Sequence, residues 1–274
     1  KVEYALLDWL ADAGWDTYGG PDESDGGVQL DAKYDRDDKS EVIYWELLRE
    51  QLIALNEKVT DHNVDDVITS LRRDFTGDSL LEANRNVQER LQKGRQVNLS
   101  KSDGTSEKVV VDLINHEVPE KNSLIAANQF RVRQHELVIP DVVLFVNGIP
   151  LVVTELKSLT QDSTVADAID DIHTYEEDAP RLFAPVLFNV AADHEHARYG
   201  AVDTPETHYN PWQPDDPTGS HSELKEMAHS LLTPGALLDI VKHFVFYQRQ
   251  PGGNAKIIPR HMQYHGTNAI LRRV

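Results

Sequence analysis

Apolar residues recur at helical spacing through the first third of the chain. Leu6, Leu7 and Leu10 share one face of a helix predicted over residues 3–14, with Gly14 as its stop. The same period near 3.6 runs through Leu47, Leu48 and Leu52, then Val67, Ile68 and Leu71, then Val87 and Leu91. It predicts helices over 42–55, 64–73 and 79–93, closed by Gly94. Residues 17–39 are polar and rich in Gly and Asp, and read as a loop with a piece of strand.

From Gln96 the period switches to two. Strands are expected over 109–114 and 129–132, and most strongly over 141–146 and 151–156 on either side of Asn147-Gly148-Ile149-Pro150. Two β-rich runs around Asn-Gly predict a hairpin. A helix over 165–175 and a buried strand over 185–190 follow. Residues 200–222, rich in Pro, Asp, His and Thr, read as an irregular surface insertion. A last helix is expected over 235–248, and Pro251-Gly252-Gly253 reads as a linker. This order predicts an α/β core with a mixed sheet flanked by helices, and an inserted helical region at about 41–94.

Composition narrows the function classes. The chain of 274 residues carries 46 acidic against 27 basic side chains, a formal net charge of −19. Such acidity is either a solvated, self-repelling surface or an adaptation to high salt, and it works against phosphate contacts, which need Lys and Arg. DNA binding at this charge requires a local basic lining, for which Arg131, Arg133, Lys157 and Arg181 are the candidates. The absence of cysteine excludes disulfides and thiolate metal sites. No apolar run approaches the roughly 18 residues of a membrane span, and early acidic residues argue against a secretory signal, so a cytoplasmic location is expected. There is no phosphate-binding glycine loop. Asp193-His194-Glu195-His196 fits no zinc motif and reads as a solvated loop.

The chemistry concentrates in Pro140-Asp141 and, thirteen residues further on, Glu155-Leu156-Lys157. Alternation points Glu155 and Lys157 to one face of their strand. A three-residue loop, Asn147 to Ile149, sets Asp141 opposite Glu155 with Cβ atoms about 5 Å apart. A two-residue Asn-Gly loop slips the register by one and turns Asp141 to the other face. Two carboxylates so placed raise each other's pKa and call for a hard divalent cation such as Mg²⁺, while a nearby Lys can orient the attacking water or neutralise charge on phosphate. The plain alternative is an ordinary hairpin with a charged edge. The flanking apolar runs anchor both carboxylates on buried strands, where charge is costly without a purpose. Glu3, on the buried face of the first helix, is either a further carboxylate for the metal or a first-turn Glu favoured by the helix dipole. Asp171 and Tyr175 share a helix face and can meet the site or DNA.

The run from Pro140 to Lys157 resembles the nuclease motif of the restriction (motor) subunits of type I restriction-modification enzymes. Residues 3–15, 84–94, Val110-Asp112-Leu113-Ile114 and 122–130 resemble that family's opening helix and its approach to the motif. Residues 256–264, with Gln263, resemble the segment leading into its helicase-like ATPase. The resemblance implies a PD-(D/E)xK endonuclease domain over 1–250, with 251–274 a linker and the start of an ATPase domain that lies outside the chain. It implies Asp141 and Glu155 as metal ligands, Lys157 as the third catalytic residue, and Mg²⁺, replaceable by Mn²⁺, as cofactor. Double-strand DNA cleavage would follow translocation driven by ATP, which only the motor domains outside the chain would use. The implied partners are double-stranded DNA and the methyltransferase and specificity subunits. One departure stands out: the family often carries Gln-x-x-x-Tyr after the Lys, and here Asp171 occupies the Gln position while Tyr175 is in place. A domain of the same fold that only docks DNA or the methyltransferase is the alternative.

Overall fold

Two stretches with no polar interruption, residues 142–146 and 149–153, form the centre of a sheet, because only strands covered on both faces hide every side chain. The computed structural model describes residues 2–20, 25–36, 38–75, 77, 79–158, 163–193, 195–212, 222–250 and 253–273. In chain order these form α1 (Val2–Asp12), β1 (Asp16–Tyr18), α2 (Gly26–Lys33), α3 (Trp45–Leu55), α4 (Val64–Asp74) and α5 (Leu80–Lys93). Then come β2 (Arg95–Ser100), β3 (Ser106–Val111), β4 (Leu124–Asn128), β5 (Val132–Arg133), β6 (Leu137–Val138), β7 (Val142–Val146) and β8 (Ile149–Leu156). The C-terminal part holds α6 (Val165–Asp178), α7 (Pro180–Phe183), β9 (Phe188–Ala192), β10 (Ala197–Gly200), α8 (Glu223–His229), α9 (Pro234–His243), β11 (Phe246–Gln250), β12 (Gly253–Ile257) and α10 (His261–Leu271).

The central sheet is mixed, with strand order β1-β4-β7-β8-β9-β10. β1 with β4 and β8 with β9 are parallel, and the other neighbours are antiparallel. The expected α/β architecture is therefore present. Helices α3 to α5 and the β2–β3 ribbon lie within the long crossover between β1 and its parallel neighbour β4, the place of the expected helical insertion. Each of these helices ends within about three residues of its predicted bounds. The marked positions Leu47, Leu48, Leu52, Val67, Leu71, Val87 and Leu91 are buried, while in α4 Val64 is buried and the marked Ile68 only half-buried. Helix α6 begins at a reciprocal cap between Thr164 and Asp167.

Five local expectations need correction. The polar stretch 17–39 contains α2, opened by Asp25, whose side chain accepts from Val28 N at 3.0 Å. The strand expected at 129–132 is instead β4, ending at Asn128, and β5, starting at Val132, because Gln129 turns left-handed between them at φ +54°. The strand expected at 109–114 is β3, which ends at Val111 and pairs with β2 outside the central sheet. The last helix stops at His243, short of the expected 248, and the chain re-emerges as β11, paired antiparallel with β12. Pro251 and Gly252 of that stretch, residues 213–221 of the expected insertion, and His194 lie outside the described residues.

The fifth correction concerns the hairpin that carries the chemistry. The turn is the two-residue one, Asn147 and Gly148, both with positive φ (+52° and +80°), as the right-handed twist of paired strands requires. Val146 pairs with Ile149 and Phe145 with Pro150, but Leu144 pairs with Val152. Leu151 is the extra residue of a β-bulge, and the bulge moves the register back by one. Beyond it Val142 faces Thr154, so the next pair along is Asp141 and Glu155. The turn itself is pinned by Asn147, whose Nδ2 donates to Leu113 O at 2.8 Å and whose Oδ1 accepts from Ser123 N at 2.8 Å.

Candidate active site

One row of residues runs across three strands at the end of the sheet. Gln129 follows β4, Asp141 precedes β7, and Glu155 closes the buried part of β8. Gln129 N donates to Asp141 O at 3.0 Å, and Leu156 N donates to Asp141 Oδ2 at 2.7 Å, which fixes the Asp141 carboxylate between its two neighbouring strands. Lys157 N donates to Ala192 O at 2.8 Å, so the Lys lies where β8 leaves β9. Helix α1 brings Glu3 to this end, and α6 brings Asp171 and Tyr175.

Glu155 is 7% exposed, and its Oε2 has no hydrogen-bond partner. Burial first, then the charge of Asp141, push its pKa up to about 8, with Lys157 pulling the other way. Asp141 is raised to about 6, by burial and by the Glu3 charge, against the hydrogen bond from Leu156 and the Lys157 charge. Lys157 Nζ sits 3.7 Å from Glu155 Oε1 and donates to Asp171 Oδ2. Burial works to lower the Lys157 pKa, but the Asp171 hydrogen bond and the Glu155, Asp171 and Asp141 charges outweigh it and hold the ammonium above its ordinary value. Tyr175 is raised by burial and by the charges of Glu155, Asp171 and Asp141.

This is a carboxylate pair, Glu155 buried and Asp141 half-buried, with one cationic neighbour and with Glu155 Oε2 outside any hydrogen bond. Such an arrangement is costly as it stands and is relieved by a cation or by a proton. Asp141 and Glu155 are the residues able to hold a divalent ion, and Glu3 faces the same space through its charge on Asp141. Among the described residues no three His, Asp or Glu side chains are gathered into a metal cage. Mg²⁺ does not need one, since it keeps several waters and takes only one or two carboxylates.

The family model for the N terminus of type I restriction enzyme R proteins matches residues 1–208. The chain belongs to this R-protein N-terminal family. It is 30% identical over 280 residues to the type I restriction enzyme HindI endonuclease subunit of Haemophilus influenzae, an alignment covering 98% of this chain and 26% of that relative. It is 29% identical over 250 residues to the putative type I restriction enzyme MjaVIIIP endonuclease subunit of Methanocaldococcus jannaschii, covering 88% of this chain and 23% of the relative. This R-protein N-terminal chain thus spans about a quarter of the length of these relatives.

The structure brings Glu3, Asp141, Glu155, Lys157, Asp171 and Tyr175 of this R-protein domain together. It does not bring in the arginines. Arg131 is held by Asp25 at the start of α2, Arg133 N donates to Lys39 O at 2.9 Å, and Arg181 lies near Asp38. None of the three bonds to Asp141, Glu155 or Lys157 among the described residues. Asp193 caps local backbone: its Oδ1 accepts from Glu195 N and His196 N, and its Oδ2 from Val165 N. Among the described residues no helix is long and apolar enough to cross a membrane.

Two residues at the site were not among the candidates read from the sequence. Asn128, fully buried, donates from Nδ2 to Glu3 Oε1 at 2.6 Å and accepts at Oδ1 from Gly26 N at 2.7 Å. Gln129 Nε2 stands 3.3 Å from both Glu3 Oε1 and Asp141 Oδ1. An Asn-Gln pair after a short apolar run has the look of any strand end, and only the parallel β1–β4 pairing makes it meaningful.

Proposed function

We propose that this chain is the metal-dependent endonuclease module of a type I restriction enzyme, hydrolysing DNA phosphodiester bonds with Mg²⁺, or Mn²⁺ in its place, held by Asp141 and Glu155. The observation that carries the proposal is the Glu155 carboxylate: buried beside Asp141, raised to about 8, and with Oε2 unpaired. Family membership supports the reaction class, and both relatives are endonuclease subunits by name.

When bound, the cation supplies charge neutralisation at the phosphodiester and acidifies water. The chain's own residues do the rest. Asp141, fixed by Leu156 N, and Glu155 give two acceptor carboxylates at one end of a rigid sheet. Lys157 keeps its proton, so its ammonium orients the attacking water or stabilises negative charge on the phosphate without moving a proton itself. The buried strands behind the site exclude solvent from its inner side. In the full-length subunit, cleavage of both strands would be coupled to ATP-driven translocation by the motor domains, with the methyltransferase and specificity subunits as partners and double-stranded DNA as substrate. Arg131, held by Asp25, makes no bond to the carboxylates, and in this reading much of the DNA affinity would come from other parts of that assembly.

Calorimetric titration of Mn²⁺ into the chain, with Glu155→Gln alongside, tests the reading. Binding that Glu155→Gln abolishes is the expected result. A wild-type chain that takes up no Mn²⁺ or Mg²⁺ would favour a docking domain of the same fold.

A further inference from the structure

Gln129 adopts φ +54°, a left-handed conformation that a residue with a straight side chain enters only at a cost. Such conformations persist where the surroundings over-determine them, and they gather at functional sites. Three contacts hold this one. A Cβ on Gly27 would stand 2.5 Å from Gln129 O and 3.0 Å from Phe130 Cα, so α2 approaches the loop as closely as a bare glycine allows. Gly26 N anchors the preceding Asn128 side chain. Arg36, 5% exposed, places its guanidinium 4.1 Å from the centre of the Phe130 ring and donates from Nη2 to Arg131 O at 2.7 Å. Asp31 fixes Arg36 in turn through Nε at 2.5 Å.

The consequence is geometric. In a strand that continued past Asn128, successive side chains would point to opposite faces. The left-handed turn instead lets two consecutive amides reach the same oxygen, Glu3 Oε1, from Asn128 Nδ2 at 2.6 Å and Gln129 Nε2 at 3.3 Å. The Gln129 amide also touches Asp141 Oδ1 at 3.3 Å while its backbone N holds Asp141 O at 3.0 Å. It therefore spans two carboxylates, one on α1 and one just before β7, that would otherwise repel each other. At 3.3 Å both side-chain bonds are at the long end of the range, so the oxygens are tethered without being saturated.

We propose that Gln129 is a positioning residue of the cation site, its amide setting Glu3 relative to Asp141 and its left-handed backbone carrying the amide there. The inference rests on the metal-dependent reading of the Asp141–Glu155 pair. Partners of this kind around metal ligands are commonly worth about 10–100-fold in affinity.

The test is Mn²⁺ titration of the chain by calorimetry, with thermal unfolding in chelator as a second readout, for wild type, Asp141→Asn, Gln129→Gly and Gln129→Asn. Glycine and asparagine both accept a left-handed φ, so each variant keeps the loop, while neither reaches both carboxylates. The expected result is Mn²⁺ affinity about tenfold weaker in both Gln129 variants, with metal-free melting temperatures close to wild type, because relief of the left-handed strain offsets the lost amide bridge. Unchanged affinity in the Gln129 variants, with Asp141→Asn losing binding, overturns the role of Gln129 and leaves the metal reading standing. Affinity that falls only together with the melting temperature makes Gln129 a merely structural residue. A wild type that binds no Mn²⁺ overturns both.

Discussion

Lys157 and Asp171 meet across the gap between the end of β8 and the second turn of α6, ammonium on carboxylate. The resembling family often carries a glutamine at the Asp171 position, which offers the Lys no charge. The Asp171 side chain is 43% exposed and that of Lys157 16%, so the pair is open to solvent on one side. Exposed pairs contribute little to stability, about 1 kcal/mol or less.

Asp171→Gln is therefore expected to leave folding nearly intact and to change the lysine. Loss of the Asp171 hydrogen bond and charge lowers the Lys157 pKa, since both act to raise it. Any stability that the raised pKa contributes is present at neutral pH and lost on going alkaline, and the variant loses it sooner. NMR titration of the Lys157 ammonium checks the direction. A midpoint that rises or stays in place would mean that Asp171 does not set the protonation of Lys157.

In the metal-free protein the Asp141–Glu155 pair should contribute less to stability as pH rises. Glu155 and Asp141 both sit above their ordinary values, so from roughly pH 4 the folded state keeps protons that the unfolded chain releases. The pair's contribution then declines with pH until the folded carboxyl groups have titrated, near about 8 for Glu155. Glu155→Gln has no such proton to hold or release. Its advantage over wild type should grow between about pH 5 and pH 8, by at most about 1.4 kcal/mol for each pH step of one. Thermal unfolding in chelator across this range measures it. A difference between the two proteins that is flat in pH would contradict the raised pair.

Gly148 is the turn residue that cannot be changed cheaply. Its φ of +80° disfavours any side chain, and a Cβ would stand 2.7 Å from Tyr44 O, whose own backbone N donates to Gly148 O at 3.0 Å. Gly148→Ala is expected to cost about 1–3 kcal/mol, read from the midpoint of urea unfolding. A loss within a few tenths of wild type would show that the turn is free to relax.

Lys256 is buried on β12, where its Nζ donates to Val186 O at 2.8 Å. Burial pushes its pKa well below the ordinary value, against the attraction of Glu176. A lysine depressed in the folded state favours folding more as pH rises, because the unfolded chain binds the proton and the folded one does not. Lys256→Met should accordingly be more stable than wild type at about pH 6, by on the order of 1 kcal/mol, with the gap closing toward pH 9. Urea unfolding at the two pH values decides it. A variant destabilised equally at both would show that the bond to Val186 outweighs the buried amine.

What could be seen in the sequence depended on how local its cause was. The buried stripes of α3, α4 and α5 are set by each helix's own spacing, and they stand where the period puts them but for Val64 in place of Ile68 in α4. The hairpin follows from the two β-rich runs around Asn147-Gly148, and alternation puts Glu155 and Lys157 on one face. Asp141 joins them only through the bulge at Leu151, which no alternation marks. Helix α2 was invisible because its first two residues, Gly26 and Gly27, are chosen by what packs on them: Tyr18 O and Gln129 O leave no room for a Cβ. Strand β4 hides for a related reason, since Leu124-Ile125-Ala126-Ala127 is buried on both faces and shows no alternation at all. The β11–β12 hairpin was lost to the opposite fault. Phe246 is 60% exposed and its strand runs into polar residues, so nothing in the pattern separated it from the end of α9.

The bulge at Leu151 has a consequence for recognising this site elsewhere. A plain two-residue turn pairs residues whose numbers differ by an odd count, and one bulged residue makes that count even, as it is between Asp141 and Glu155. The gap between the two acids is thus a matter of parity set by whether an extra residue is present, and it carries no geometric meaning of its own. A chain with a straight hairpin would place the same two carboxylates side by side with one residue fewer between them. A search that demands the spacing seen here would pass over it.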